Sequence, residues 1–176
     1  MTKTLTGVKD TVLDQLDREV KVTKRALENV PDGRGDWKPH PKSMTLGMLS
    51  HLVATMPSWL VFNVDQNELD VKPKDGKRSV PEARAADSGD ELIETLEKTA
   101  AEARRSIEKT TEDHLQTQWR LLEGGKVVGK DTRAVWMREF FSHWAHHRGQ
   151  LTVYLRLLDQ PVPAIYGPSA DDHRFL

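Results

Sequence analysis

Residues 143–151, HWAHHRGQL, are the most informative part of this chain, because they place two histidines inside a continuous helical pattern. His143 and His147 stand four residues apart, and a helix rises about 1.5 Å per residue, so they lie one turn apart on the same face. Two imidazoles arranged in this way can bind one metal ion. If the chain has a reactive centre, we expect it here.

The pair belongs to a predicted helix over residues 132–158. Apolar residues recur there at three- and four-residue steps, which indicates that the histidines point toward the core. The predicted inward stripe consists of Trp136, Phe140, His143, His147, Leu151, Tyr154 and Leu158. Arg148 is expected to form an ion pair at the surface or near the helix end. Gln150 is a polar flank residue and, with Tyr154, a candidate outer partner of the site, although simple packing of Tyr154 is favoured.

Two further helices are predicted in the first part of the chain. The first covers residues 5–30, where apolar residues return every three or four positions until a Pro-Asp-Gly turn. A loop rich in proline, glycine and charge follows over residues 31–43. The second helix starts near Ser43 or Thr45, either of which can cap it, and it carries His51 on its inward side.

Pro57 interrupts the second helix, and we expect either a kink there or a restart with Thr55 as the new cap. The polar residues 67–89 predict a crossover loop. Ser88 and Glu91 have the Ser-x-x-Glu form of a capping box, which predicts the start of a third helix.

Residues 115–130 contain two short runs on either side of Gly124-Gly125, a pattern that favours a short β-hairpin before the last helix. Four long helices with a crossover between the second and third favour the all-α class and a four-helix bundle. We expect one domain over residues 1–176. The cores of such bundles commonly hold metal sites.

Composition narrows the possible functions. Net charge is -1, from 26 Lys+Arg against 27 Asp+Glu, so no basic excess favours nucleic-acid binding. No segment is apolar for the roughly 18 residues that a membrane helix needs, and the N-terminus lacks the apolar centre of a signal peptide. We therefore expect a cytoplasmic protein. Because the chain has no cysteine, any metal must be bound by nitrogen and oxygen ligands.

His51 is the best candidate for a third ligand, because it lies on the inward side of the second helix. The remaining histidines, His40, His114 and His173, fall in a loop or near element ends. His146 lies on the neighbouring flank of the last helix. Glu139 continues the four-residue ladder of His143 and His147, but about 12 Å of helix axis separates it from His147. Glu139 is therefore expected to form a salt bridge or to act as an outer partner.

The residues HWAHHRGQLTVYLRLLDQPVPAIYGPSADD near the C-terminus resemble the signature of the DinB-like (DinB/YfiT) superfamily of metalloenzymes. The segment MTLGMLSHLVATMPSWLVFNVDQNELD is similar to the second helix of that family. Together these segments and the elements between them cover most of the chain. The resemblance implies a helical bundle in which His51, His143 and His147 bind a divalent metal ion, with water in the remaining positions.

The resemblance further implies a thiol S-transferase or a thiol-dependent isomerase that uses a low-molecular-weight thiol such as bacillithiol or mycothiol. It also implies a homodimer. Zinc, nickel and iron all suit imidazole ligands, and the sequence does not select among them. Three alternatives stay open, namely a metal-dependent hydrolase, a non-catalytic metal-binding or dimerisation module, and a metal-free bundle with hydrogen-bonded core histidines.

Overall fold

The computed structural model describes residues 6–77 and 88–174, and these parts of the chain are mostly helical. They contain the helices α1 (Val8–Leu27), α2 (Leu46–Thr55), α3 (Ser58–Asp65), α4 (Gly89–Lys109), α5 (Glu112–Leu115) and α6 (Arg133–Leu157). They also contain the strands β1 (Glu68–Asp70), β2 (Gln118–Glu123) and β3 (Lys126–Thr132). Leu5 of the predicted first helix and residues 78–87 of the predicted crossover loop lie outside the described residues.

Side-chain caps fix where α2, α4 and α6 begin. Thr45 accepts a hydrogen bond from the backbone N–H of Met48, which makes Thr45 rather than Ser43 the cap of α2. Ser88 caps α4 in the same way, as its place in the predicted capping box requires. Thr132 caps α6, so the helix that carries the histidine pair starts one residue later than predicted. Each cap satisfies a backbone donor that has no partner within the helix.

The predicted break at Pro57 divides the second helix into α2 and α3. Thr55 does not cap the new helix, so that alternative is wrong. Its hydroxyl instead donates back to the carbonyl of His51 at 3.0 Å, within α2. Proline has no N–H to donate and favours the first turn of a helix, which is why α3 starts beside Pro57 without a side-chain cap.

The two runs around Gly124-Gly125 form β2 and β3, which pair antiparallel. Both glycines have positive φ, which lets the chain reverse without a steric penalty. β1 pairs parallel with β2, so the prediction of a loop from residue 67 is wrong at Glu68–Asp70. The carboxylate of Asp70 accepts hydrogen bonds from the N–H groups of Gly124 and Gly125, which fastens the end of β1 to this turn.

The helices enclose a hydrophobic core to which α6 contributes a fully buried line of side chains. That line consists of Met137, Trp144, Arg148, Leu151 and Leu155. The structure bears out a mostly helical chain, whereas the four-helix bundle with a crossover stays an interpretation. In the parts of the chain that are described, no helix is long and apolar enough to cross a membrane.

Candidate metal centre

The spacing of His143 and His147 along α6 brings their rings together as the sequence predicts. The ring centroids are 4.5 Å apart. The Nε2 atom of His143 lies 2.8 Å from the Nε2 atom of His147, which is within hydrogen-bond distance. Two ligands of a tetrahedral zinc ion, each about 2.0–2.1 Å from the metal, are about 3.3 Å apart. If the two Nε2 atoms moved apart by about half an ångström, both could bind one ion, so the pair fits a divalent metal.

Gln150 determines which nitrogen of His147 carries hydrogen. Its side-chain oxygen Oε1 lies 2.9 Å from Nδ1 of His147. An amide oxygen can only accept, so Nδ1 holds the proton and the lone pair of His147 lies on Nε2. His143 then donates from its own Nε2 to that lone pair. A metal ion between the rings would require His143 to adopt the tautomer that is protonated on Nδ1.

The electrostatic environment keeps both rings uncharged at neutral pH. Burial, with smaller contributions from the neighbouring histidines, lowers the pKa of His143 to about 4. Burial also lowers the pKa of His147, and the charge on His146 acts in the same direction, while the hydrogen bond to Gln150 opposes the shift. Only a neutral imidazole has a lone pair for a metal, so the protonation state at pH 7 suits ligation.

An aromatic cluster borders the pair on one side. The ring of Trp59 meets His143 edge-on with centroids 5.7 Å apart, and Trp59 also packs against Phe140 at 5.4 Å. Trp119 and Trp136 extend the cluster beyond Phe140. These rings remove water from the surroundings of His143, which is the physical origin of its lowered pKa. His146 is exposed, and its ring lies 5.1 Å from that of His147.

The stability of the metal-free protein is expected to fall as the pH drops from about 6.5 toward 4. In that window an unfolded histidine binds a proton, whereas folded His143 resists protonation until about pH 4. The unfolded state therefore binds more protons, and acid favours it. Melting temperatures of chelator-treated protein between pH 7.5 and 4.5 will measure the slope. His143→Gln should reduce this slope without abolishing it, because the pKa of His147 is also lowered, whereas His173→Gln, which removes an exposed histidine, should leave the slope unchanged. An equal slope in the wild type and His143→Gln would contradict the prediction.

His51 is buried on α2, with 6% of its surface exposed, and α2 packs against α6. The indole N–H of Trp144 on α6 donates to the carbonyl of Val53, two residues after His51, at 2.9 Å. However, residues 6–77 and 88–174 contain no group of three or more His, Asp or Glu side chains placed to hold an ion. The structure therefore brings His143 and His147 together, and it does not assemble the three-histidine set.

The other residues considered from the sequence have different roles. The hydroxyl of Tyr154 donates to the carbonyl of Met44 at 3.2 Å, and its ring packs edge-on against Trp37. Glu139 forms an ion pair with Arg138 at 3.1 Å, as the axial distance from His147 suggested. His40 and His173 are exposed, and Nδ1 of His40 accepts from the backbone N–H of Lys42. Nε2 of His114 lies 2.9 Å from the carbonyl of Val64 in α3.

Arg148 forms an ion pair as predicted, but the prediction that the pair lies at the surface or near the helix end is wrong, since only 1% of this residue is exposed and α6 continues to Leu157. Its Nη1 atom lies 2.6 Å from the carboxylate of Glu19, which is 2% exposed, and 2.9 Å from the hydroxyl of Thr23. Glu19 and Thr23 lie one turn apart on α1. The sequence did carry one indication of this burial, because Arg148 follows Trp144 by four residues and therefore lies on the most buried line of α6.

The sequence model of the DinB family matches residues 1–174, and the chain belongs to that family. Among solved structures, it is similar to a DinB-like protein from Bacillus cereus ATCC 10987, with a TM-score of 0.68 and 17% identity over 88% of this chain and 95% of that one. It is also similar to a DinB-like protein from Bacillus subtilis, with a TM-score of 0.63 and 17% identity over 86% and 94% of the two chains. At this identity the likeness concerns the fold. No curated protein matches the chain significantly.

Proposed function

We propose that this protein is an enzyme that uses a divalent metal ion, held by His51, His143 and His147, together with a low-molecular-weight thiol. The observation that carries the proposal is the 2.8 Å approach of the Nε2 atoms of His143 and His147. Two neutral imidazole nitrogens that face one another in a half-buried site are a suitable pair of metal ligands. Membership of the DinB family supports the same proposal.

Each side chain has a distinct part in the proposed site. His147 offers Nε2 as a ligand, while Gln150 holds its Nδ1 proton and so fixes the ring orientation, as outer partners of histidine ligands commonly do. His143 offers its Nε2 after the change of tautomer described above. His51 is the proposed third ligand, because it is buried on the helix that packs against α6. Its ligation requires a rearrangement of side chains, since the set is not assembled in this structure.

The proposed metal is zinc, nickel or iron, and when bound it would stabilise a thiolate and so supply a nucleophile at neutral pH. The thiol must come from outside, because the chain has no cysteine. The reaction is an S-transfer to an electrophilic small molecule or a thiol-dependent isomerisation. Trp59 packs edge-on against His143 with Phe140 behind it, where it excludes water and offers an apolar surface to the electrophile.

Metal analysis of the purified protein tests the ligand set. We expect wild-type protein to bind a divalent metal stoichiometrically. His51→Ala, His143→Ala and His147→Ala should each weaken binding by more than about 100-fold, the upper end of the effect of removing an outer partner. The matched control is His173→Ala, which removes an exposed histidine outside the site and should leave the metal content unchanged.

The outcomes separate the proposal from its alternatives. If His143→Ala keeps both the metal content and the melting temperature of the wild type, the proposed site is wrong. Loss of metal in the His143 and His147 variants but not in His51→Ala would remove His51 from the ligand set. Stoichiometric metal without turnover of any electrophile, with bacillithiol, mycothiol, glutathione or cysteine as the thiol, would favour a non-catalytic metal-binding module over an enzyme.

A further inference from the structure

A cavity of about 760 Å³ lies between the first half of α1 and the first half of α6. Its walls are largely apolar and include Val8, Val12, Phe141 and Ala145. The histidine pair does not line it, because residues 141 and 145 point away from the flank that carries His143 and His147. The volume lies within the range of about 300–1,000 Å³ that is typical of sites for small molecules.

One end of this cavity is polar and carries a buried charge. Glu19 lines the cavity although only 2% of the residue is exposed. The Oε1 atom of Glu19 accepts a hydrogen bond from the side-chain amide of Gln15 at 2.5 Å, and Oε2 pairs with Arg148 at 2.6 Å. The hydroxyl of Tyr166 completes the arrangement, since it donates to Glu19 at 2.9 Å and accepts from Nη2 of Arg148.

Tyr166 is an unusual member of this buried network, because 60% of the residue is exposed. Its ring covers the guanidinium of Arg148, with the ring centroid 5.1 Å from Cζ, and Tyr166 also lines the cavity. Burial raises the pKa of the Tyr166 hydroxyl, so the group keeps its proton and remains a donor. The Nε atom of Arg148 is buried without a hydrogen-bond partner among the described residues.

The position of the Tyr166 hydroxyl defines which chemical group of a ligand can bind at this end of the cavity. A group at that point must donate to the carboxylate of Glu19 and accept from the guanidinium of Arg148. A hydroxyl does both and is uncharged, so it leaves the ion pair balanced. An ammonium group cannot accept from Arg148. A carboxylate cannot donate to Glu19, and it would be repelled by that charge.

We propose that this cavity binds a small apolar molecule that carries a hydroxyl group, such as an alkylphenol. The apolar body contacts Val8, Val12 and Phe141, and the hydroxyl takes the place of the Tyr166 hydroxyl between Glu19 and Arg148. Tyr166 is then a gate, which occupies the polar position until a ligand displaces it. Because this site shares no side chain with the histidine pair, the proposal is independent of the proposed metal centre.

Calorimetry with 4-propylphenol and its methyl ether, 4-propylanisole, tests the proposal. The ether can accept a hydrogen bond but cannot donate to Glu19. In wild-type protein the phenol gains only the hydrogen bonds that the displaced Tyr166 hydroxyl gives up, so the two compounds should bind with similar affinity. Tyr166→Phe removes the competing hydroxyl, so it should raise the affinity for the phenol about tenfold, a difference equivalent to one hydrogen bond to a charged group, and leave the affinity for the ether unchanged.

Variants in the wall locate the binding site. Ala145→Phe fills the cavity and should abolish binding of both compounds, and Ser142→Trp, at an exposed position of the same wall, serves if Ala145→Phe does not fold. Val153→Phe lies on the exposed face of α6 outside the cavity and should bind as the wild type does. His143→Ala should also leave the affinity unchanged.

Several results would overturn the proposal. These are equal affinities for the phenol and the ether in Tyr166→Phe, no binding by either the wild type or Tyr166→Phe, and binding that persists in both wall variants. If Ala145→Phe instead abolishes self-association of a protein that binds neither compound, the cavity is an interface between two copies of the chain and the ligand proposal is wrong.

Discussion

Replacing Arg148 with methionine is expected to lower the free energy of unfolding by about 3–5 kcal/mol, because it leaves a buried carboxylate without its cation. Arg148 and Glu19 are both almost fully buried, and their ion pair joins α6 to α1. Methionine keeps most of the aliphatic volume of arginine, so the loss reflects the charge rather than a cavity. Urea denaturation followed by circular dichroism measures the change in unfolding free energy.

A second ion pair on the same helix provides the matched control. Arg156 pairs with Asp171 at 2.5 Å, but half of the arginine side chain is exposed. Arg156→Met should therefore cost less than about 1 kcal/mol. Combining Arg148→Met with Glu19→Leu should recover most of the lost stability, because no unpaired charge then remains in the core. Equal costs for Arg148→Met and Arg156→Met would show that burial does not decide the energy of these pairs.

Trp144→Ala is expected to have a similarly large effect, about 3–5 kcal/mol, because it empties a large and fully buried position. The indole also donates to the carbonyl of Val53, so the variant loses a contact between α6 and α2. These are the two helices that carry His143 and His51. We therefore expect Trp144→Ala to weaken metal binding as well, because this contact holds the two helices together.

Two milder variants separate packing from hydrogen bonding at this position. Trp144→Phe keeps much of the apolar volume and leaves the Val53 carbonyl without its partner, so it should cost about 1–3 kcal/mol. Val153→Ala, at a position of α6 that is 57% exposed, should change stability by no more than about 0.5 kcal/mol. If Trp144→Ala were as mild as Val153→Ala, the α2–α6 contact would not contribute to the stability of the fold.

Most of the helical organisation could be predicted from local signals. The break at Pro57, the caps at Thr45 and Ser88, and the long last helix all follow from the preferences of single residues or from the period of apolar residues. β1 could not be predicted in this way. It has three residues, Glu68–Asp70, and it is a strand because β2 lies beside it, although the two are about fifty residues apart in sequence.

The candidate site also has one part that the local sequence predicts and another part that only the tertiary structure decides. The contact between His143 and His147 follows from helix geometry alone, and so does the reach of Gln150, three residues on, to Nδ1 of His147. The relation of His51 to the pair depends on how α2 lies against α6, which no local pattern describes. The low pKa of His143 likewise required the structure, since burial of the ring is its main cause.

The sequence by itself determined a mostly helical chain and a histidine pair on one face of its last helix, because both depend on contacts within a few residues. Only the tertiary structure decided which positions are shielded from solvent. It placed the charge of Arg148 in the core opposite Glu19, left the two histidines half-buried, and opened a cavity on the far flank of α6. Burial depends on what the other helices cover, and that information is distributed over the whole chain.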